Sequence, residues 1–309
     1  MGRIICCGLG PGDPDLMSVR ADREIRAATQ VAYFRKKGRP GQARRIVEGL
    51  LAQNVCEYPM EYPVTTELAF DSNEYACLLA DFYDAWADRL ERLAREDDIV
   101  VLCEGDPFFY GSFMHLYLRL KGRAEVDVVA GIPGMAGCWN VVGRPIALGD
   151  DVMTVLMGTL PEQELCRRVN NEDALVIMKT GRNLAKIRRA LGAAGRLEEA
   201  WLIERGTMPG ERVARLADIE PGDCPYFAND GLGCHCGARP RGCGADHAGS
   251  LRRACRGDGR AGLCALCRPR ARARGAYATP VRQPHGAATS RRGFEAGRGW
   301  PQRSDGFLR

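Results

Sequence analysis

The chain has 309 residues, of which 45% are hydrophobic and 27% charged, and its formal net charge is +5. This composition is typical of a soluble globular protein with room for two domains. No run reaches the roughly 18 consecutive apolar residues of a membrane-spanning helix, so we expect no membrane association. Because a strand-like segment starts at residue 3, we also expect no signal peptide and a cytoplasmic location.

The net positive charge of the chain comes from its C-terminal part. Residues 229–309 contain 16 Arg, 5 acidic residues and 15 Gly but no Lys, whereas residues 1–228 are net acidic. Half of the 14 cysteines lie in residues 1–223, mostly within apolar runs. In a reducing compartment such cysteines behave as small core residues, and they predict neither disulfides nor a metal site.

Up to residue 228, short apolar runs alternate with segments of helical spacing, which predicts an α/β fold with a largely parallel sheet. The first set predicts strands at residues 3–7, 30–34 and 99–103 and helices at 18–28, 41–51 and 71–95. The second predicts strands at 126–129, 152–157, 174–178 and 200–203 and helices at 161–169 and 183–194. We therefore predict two α/β domains, residues 1–127 and 128–228.

Beyond residue 228 neither period continues, and Gly, Arg, Pro, Ala and Cys dominate. We predict that residues 229–309 are disordered and contain no strand. Cys234, Cys236, Cys264 and Cys267 resemble zinc-ribbon ligands, but their spacing is irregular and no apolar core lies beside them, so we expect neither metal nor nucleic acid. The composition is typical of out-of-frame translation of a GC-rich gene. We hypothesise a frameshift near Ala228, which would remove a sheet strand and impair the protein.

A glycine-rich turn, residues 8–13 (GLGPGD), directly follows the first predicted strand. A dinucleotide site would place an acidic residue at the end of the second strand, but Arg35, Lys36 and Lys37 lie there. Pro11 also removes an N–H that a phosphate-binding turn would donate. These residues exclude a simple NAD site, and an NADP-dependent oxidoreductase stays open as an alternative.

Four further glycine turns also follow predicted strands. They are residues 104–112 (EGDPFFYGS), 130–139 (AGIPGMAGCW), 155–161 (VLMGTLP) and 203–210 (IERGTMPG). Open α/β sheets bind ligands at the carboxyl ends of their strands, so we expect the five turns to converge on one cleft.

In order and spacing, the five turns resemble the tetrapyrrole methylase family, whose members transfer methyl groups from S-adenosylmethionine to tetrapyrroles. Four more stretches, 58–66 (YPMEYPVTT), 111–115 (GSFMH), 149–152 (GDDV) and 177–191, resemble members that methylate precorrin-2 at carbon 20 in cobalamin biosynthesis. The resemblance covers residues 3–228 and implies two domains with the cofactor in the cleft between them, and a homodimer. Another corrin position or a cobalt-containing precorrin-2 stays open, as does a binding protein that acts through its tail.

The resemblance also implies the cofactor contacts, which are Pro11, Glu104, Gly105, Asp106, Phe109, Met135, Ala136, Met157 and Gly206. Because precorrin-2 carries many carboxylates, we predict that it binds the cations Arg35, Lys36, Lys37, Lys179 and Arg182. A base is needed at most to remove a proton after methyl transfer. The candidates are Asp13, Asp15, Glu104, Asp106, Tyr110 and His115. The apolar helical stretch around His115 favours a core histidine, and no candidate is decided.

Overall fold

The computed structural model describes residues 2–65, 68 and 72–219, together with the backbone of Cys234–Ala238. Met1–Ala245 form one compact unit. The residues predicted to be disordered, 229–309, lie outside the described residues except for the strand Cys234–Ala238. Among the described residues, no helix has both the length and the apolar content to span a membrane.

The first sheet is wholly parallel. Its strands are β1 (Ile4–Gly8), β2 (Gln30–Lys36), β3 (Cys56–Tyr62), β4 (Ile99–Cys103) and β5 (Val126–Val129), in the order β3-β2-β4-β1-β5. The helices of this half are α1 (Val19–Ala27), α2 (Gln42–Ile46), α3 (Asn73–Leu93) and α4 (Phe113–Leu120).

Both faces of this sheet are buried, as is usual for parallel sheets. Ile4 and Cys6 of β1 pack with residues of α3 and α4, whereas Ile5 and Cys7 pack with residues of α1 and α2. The alternation follows from the two-residue period of a strand.

The second sheet is mixed, in the order β6-β7-β10-β8-β9. Its strands are β6 (Met153–Met157), β7 (Ala174–Met178), β8 (Trp201–Glu204), β9 (Arg212–Arg215) and β10 (Cys234–Ala238). The helices α6 (Glu162–Val169) and α7 (Leu184–Ala193) pack on one face, and α5 (Gly134–Val142) packs on the other. The predicted domain boundary at residues 127/128 falls within β5 and stays a prediction.

The expectation that no strand follows residue 228 is wrong. Cys234–Ala238 runs antiparallel to both β7 and β8 and fills the position between them, so the sheet has not lost its central strand. A strand in that position is held on both edges by backbone hydrogen bonds. Such bonds require an extended chain rather than the aliphatic side chains by which strands are recognised in sequence.

Candidate active site

A cavity of about 700 Å³ opens at the carboxyl ends of β2, β3 and β4. The turn after β4 forms its floor with Glu104, Gly105 and Asp106, and α3 and α4 form one wall. Met178 and Lys179, at the end of β7, reach it from the second sheet. Its volume is within the roughly 300–1,000 Å³ common for small-molecule sites.

Three of the predicted glycine turns meet backbone to backbone. Gly105 donates its N–H to the Gly10 carbonyl (2.9 Å), and Gly10 donates to the Gly105 carbonyl (3.3 Å). A Cβ atom at position 131 would clash with the Gly105 oxygen at 2.1 Å, so only glycine fits there. The Asp106 carboxylate accepts the N–H of Phe108 (2.9 Å) and that of Gly131 (3.0 Å), which links the second turn to the third.

The remaining two turns join the same region. Thr207 in the fifth turn accepts the Asp13 N–H through Oγ1 at 3.3 Å, and a Cβ at Gly137 would lie 2.5 Å from the Pro11 ring. In the fourth turn, Gly158 donates its N–H to the Met178 carbonyl at 2.7 Å. The second and third turns line the cavity, whereas no residue of the other three turns is among its lining residues. Each of those three contacts another turn or a residue of the cavity wall, and convergence of all five on one cleft stays a prediction.

The residues predicted to contact a cofactor occupy two adjoining places. Glu104, Gly105, Asp106 and Phe109 line the cavity. Met135 and Met157 lie in the apolar cluster between α5 and the second sheet, and Phe109 packs against this cluster as well. Pro11 and Gly206 lie against α5 at Gly137 and Cys138, and Ala136 is in α5 itself. As cofactor contacts, all nine stay a prediction.

The predicted cations divide into two groups. Arg35, Lys36 and Lys179 line the cavity, whereas Lys37 and Arg182 are not among its lining residues. Arg35 donates from both Nε (3.0 Å) and Nη2 (2.7 Å) to one oxygen of Glu61 on the neighbouring strand. Arg39, which the sequence analysis missed, also lines the cavity. Its N–H donates to the Lys36 carbonyl (3.0 Å), so the turn after β2 folds this arginine back.

Strained backbone is concentrated around these turns. Among the described residues, four that are not glycine have positive φ: Tyr110 (55°), Lys179 (57°), Arg205 (52°) and Thr207 (67°). The first two line the cavity, and the other two lie in the fifth turn. Strain of this kind costs of order 1–3 kcal/mol per residue and commonly marks functional sites.

Aromatic and hydroxyl side chains form a cluster next to the cavity wall that α3 and α4 build. The Tyr62 hydroxyl lies 2.5 Å from Ser112 Oγ, and the ring of Tyr83 packs in the same cluster. Phe34 stacks on Tyr62 with ring centroids 5.5 Å apart. Burial raises the pKa of Tyr62 well above its ordinary value, and burial also raises the pKa of Tyr83. The sequence analysis assigned no role to either tyrosine, because their contact joins segments that are distant in the chain.

The interpretation of His115 as a core histidine is wrong. His115 is exposed and lines the cavity, although its neighbours Phe113 and Leu116 are buried. Its ring stacks on Tyr83 at a centroid distance of 4.6 Å. Of the other candidate bases, Glu104, Asp106 and Tyr110 line the cavity, whereas Asp13 and Asp15 are not among its lining residues.

The chain is similar to known proteins of one family. The family model of tetrapyrrole (corrin/porphyrin) methylases matches residues 3–220. The precorrin-2 C(20)-methyltransferase of Sinorhizobium sp is 49% identical over 229 residues, which cover 74% of this chain and 94% of that protein. The cobalt-precorrin-2 C(20)-methyltransferase of Salmonella typhimurium is 27% identical over 237 residues, with 74% and 94% covered.

A solved structure supports the same fold. The uroporphyrin-III C-methyl transferase of Thermus thermophilus, complexed with S-adenyl homocysteine, superimposes with a TM-score of 0.53 at 21% identity. The match covers 76% of this chain and 97% of that one. Because the family model that matches residues 3–220 describes methylases, the oxidoreductase alternative is wrong. Since the family match includes the first sheet, all five turns and every strand of the second sheet except β10, the chain belongs to the tetrapyrrole (corrin/porphyrin) methylases.

Proposed function

We propose that this chain is an S-adenosylmethionine-dependent C-methyltransferase that converts precorrin-2 into precorrin-3A by methylating carbon 20, a step of cobalamin biosynthesis. The 49% identity to a precorrin-2 C(20)-methyltransferase over nearly that protein's full length carries the proposal. The relative named cobalt-precorrin-2 C(20)-methyltransferase is only 27% identical, which favours the cobalt-free substrate. A cobalt-containing precorrin-2 and another corrin position are the alternatives.

The residues present suit S-adenosylmethionine as the methyl donor. This donor is a sulfonium cation with a flat adenine ring, and it supplies an electrophilic methyl group. Met135, Met157 and Phe109 offer apolar surface. The carboxylate of Glu104, on the floor of the adjoining cavity, offers a partner of opposite charge. The interlocked glycine turns hold these side chains on fixed backbone, and fixed positioning is the main catalytic requirement of a methyl transfer.

The cavity suits a reduced, conjugated macrocycle with carboxylate side chains. The stacked rings of Phe34 and Tyr62 form a flat apolar wall. Lys36 and Arg39 on one side and Lys179 on the other supply positive charge for carboxylates. Arg35, on the same strand end, pairs with Glu61 of the neighbouring strand.

The test is a direct product analysis. The purified full chain is incubated without oxygen with precorrin-2 and S-adenosylmethionine labelled with carbon-13 in its methyl group. We expect one methyl group to be added per macrocycle, with its NMR signal at carbon 20. A label at another carbon would support a different corrin position. Turnover of cobalt-precorrin-2 but not of precorrin-2 would support the cobalt-containing substrate.

As the family resemblance implies, we further propose that the enzyme is a cytoplasmic homodimer with its cofactor between two α/β domains. Light scattering coupled to size-exclusion chromatography measures the mass of the particle in solution. A mass of twice 33.9 kDa is expected, and a mass of 33.9 kDa would contradict the dimer.

A further inference from the structure

Methylation of a carbon that carries hydrogen requires a proton acceptor, and one residue in the cavity has the geometry for this role. His115 is the third residue of α4, exposed to the cavity on one side and packed against the buried Tyr83 ring on the other. The rings are nearly parallel, with an interplanar angle of 23°. Tyr83 therefore fixes the plane of the imidazole while leaving its edge open to the cavity.

Partial burial and two neighbouring cations favour the neutral form of the His115 imidazole. Partial burial lowers the pKa of His115, and the cations Arg119 and Lys179 lower it further. Arg119 comes from the same helix, donates to the His115 carbonyl at 3.0 Å and pairs with Asp84 of α3. Lys179 approaches from the second sheet. A neutral imidazole has a lone pair for a proton, which an imidazolium lacks.

Other titratable groups facing the cavity are less suited to accept a proton. Because burial raises the pKa of Tyr62 and of Tyr83, both hydroxyls keep their protons at neutral pH. Both carboxylate oxygens of Asp106 already accept backbone N–H groups. Cys103 is nearly buried, and its thiol lies 3.7 Å from the Glu104 carbonyl. Arg35, Lys36, Arg39 and Lys179 are cations, which leaves Glu104, Tyr75 and Tyr110 as the competitors of His115.

We propose that His115 accepts the proton that the acceptor carbon loses during methylation, and that Tyr83 positions its ring. This inference rests on the proposed function. When the carbon–methyl bond forms, the electron pair comes from the macrocycle, and the old methyl–sulfur pair stays on sulfur as a thioether. The carbon–hydrogen bond then breaks, its electron pair returns to the macrocycle, and the proton moves to a nitrogen of His115. The later loss of that proton to water restores the neutral imidazole.

The test compares the full-length wild-type enzyme with His115→Asn, which has a similar shape but no basic nitrogen. In single turnovers at saturating S-adenosylmethionine, we expect the variant to be slower by about 10²–10⁴, the usual effect of removing a general base. The wild-type rate is expected to fall in acid with a midpoint below the ordinary histidine pKa of about 6.5, and this limb should vanish in the variant. Only the acid limb, and not the rate, is compared in Glu104→Gln, Tyr75→Phe and Tyr110→Phe, and all three should keep it.

Two further measurements separate proton transfer from structural damage. Precorrin-2 deuterated at carbon 20 should show a larger isotope effect in His115→Asn than in the wild type, because proton loss then limits the rate. Added imidazole should partly restore His115→Ala. Calorimetry with S-adenosylhomocysteine should give affinities within a few-fold of the wild type for both variants, showing that they are folded.

Several outcomes would overturn the role of His115. One is a rate and an isotope effect in His115→Asn that equal those of the wild type. Another is an acid limb that stays in His115→Asn but is lost in one of the other variants. If the wild-type enzyme itself fails to methylate precorrin-2, the proposed function fails first. The two failures are therefore distinguishable.

Discussion

Asp106 is part of the floor of the cavity, but its hydrogen bonds serve the backbone. Each carboxylate oxygen accepts one N–H, from Phe108 in its own turn and from Gly131 in the next. The resemblance to the family implied a cofactor contact at this position, and the geometry adds a structural role. A residue with two acceptor oxygens in this place holds two turns that are far apart in the sequence.

Asp106→Asn tests this role, because asparagine has one acceptor oxygen and its amide group would face the other N–H. We expect the free energy of unfolding to fall by about 0.5–1.5 kcal/mol, the usual net contribution of one hydrogen bond, since neither N–H is fully buried. Affinity for S-adenosylhomocysteine should fall in parallel. Urea denaturation and calorimetry measure the two effects. Asp15→Asn, at an exposed position near the first turn, is the control and should change stability by less than about 0.5 kcal/mol.

The helices and strands differ in how far the sequence revealed them. Strand β4, buried on both faces, was predicted with its bounds. The helix predicted from residue 18 is α1, and Ser18 caps it by accepting the Ala21 N–H. Strand β3 was missed because it contains charged residues and Pro59. That proline is tolerated because β3 is at the edge of the sheet. Strand β9 (RVAR) is likewise a short edge strand with charged residues at its ends.

The site follows the same division. The turn after β4 could be predicted because a local signal, glycine after an apolar run, marks it. Tyr62 and Ser112 could not, since their hydrogen bond joins residues 50 positions apart. The exposure of His115 was also hidden, because its apolar neighbours face the core while its own helical position faces the cavity. Contacts between distant segments have no local pattern in a single sequence.

Arg196 holds the end of helix α6 in place. It is 1% exposed, and its guanidinium donates to the carbonyls of Val169 (3.0 Å), Glu172 (2.8 Å) and Asp173 (3.1 Å). A helix leaves its last carbonyls without partners inside the helix, and this arginine supplies one for Val169. The same side chain fixes the loop that leads into β7, whose end reaches the cavity.

Arg196→Met should remove these donors while keeping an apolar stem of similar length. We expect a loss of about 3 kcal/mol in the free energy of unfolding, because the buried carbonyls lose charge-assisted hydrogen bonds. The midpoint of urea denaturation reports the change. Arg167→Met is the matched control: this arginine is 62% exposed and pairs with Glu164, so the loss should stay below about 1 kcal/mol. Equal losses for the two variants would contradict the role of Arg196.

At the scale of the whole molecule, the second sheet depends on a segment in an unusual part of the sequence. Strand β10 pairs with β7 over four residue pairs and with β8 over three. The compact unit that contains it ends at Ala245, well before the end of the chain. Whatever the origin of the sequence after Ala228, the sheet uses its first few residues. The frameshift hypothesis can therefore hold without the loss of a strand.

Two truncations test this dependence. A chain ending at residue 233 lacks β10, which leaves facing edges of β7 and β8 without backbone partners, and we expect it to aggregate or to lose most of its stability. A chain ending at residue 245 keeps the strand and should match the full chain in urea denaturation and in affinity for S-adenosylhomocysteine. Size-exclusion chromatography compares the three proteins. If the chain ending at residue 233 is as stable as the other two, β10 contributes nothing to the fold. If only the full chain is stable, residues 246–309 are required as well.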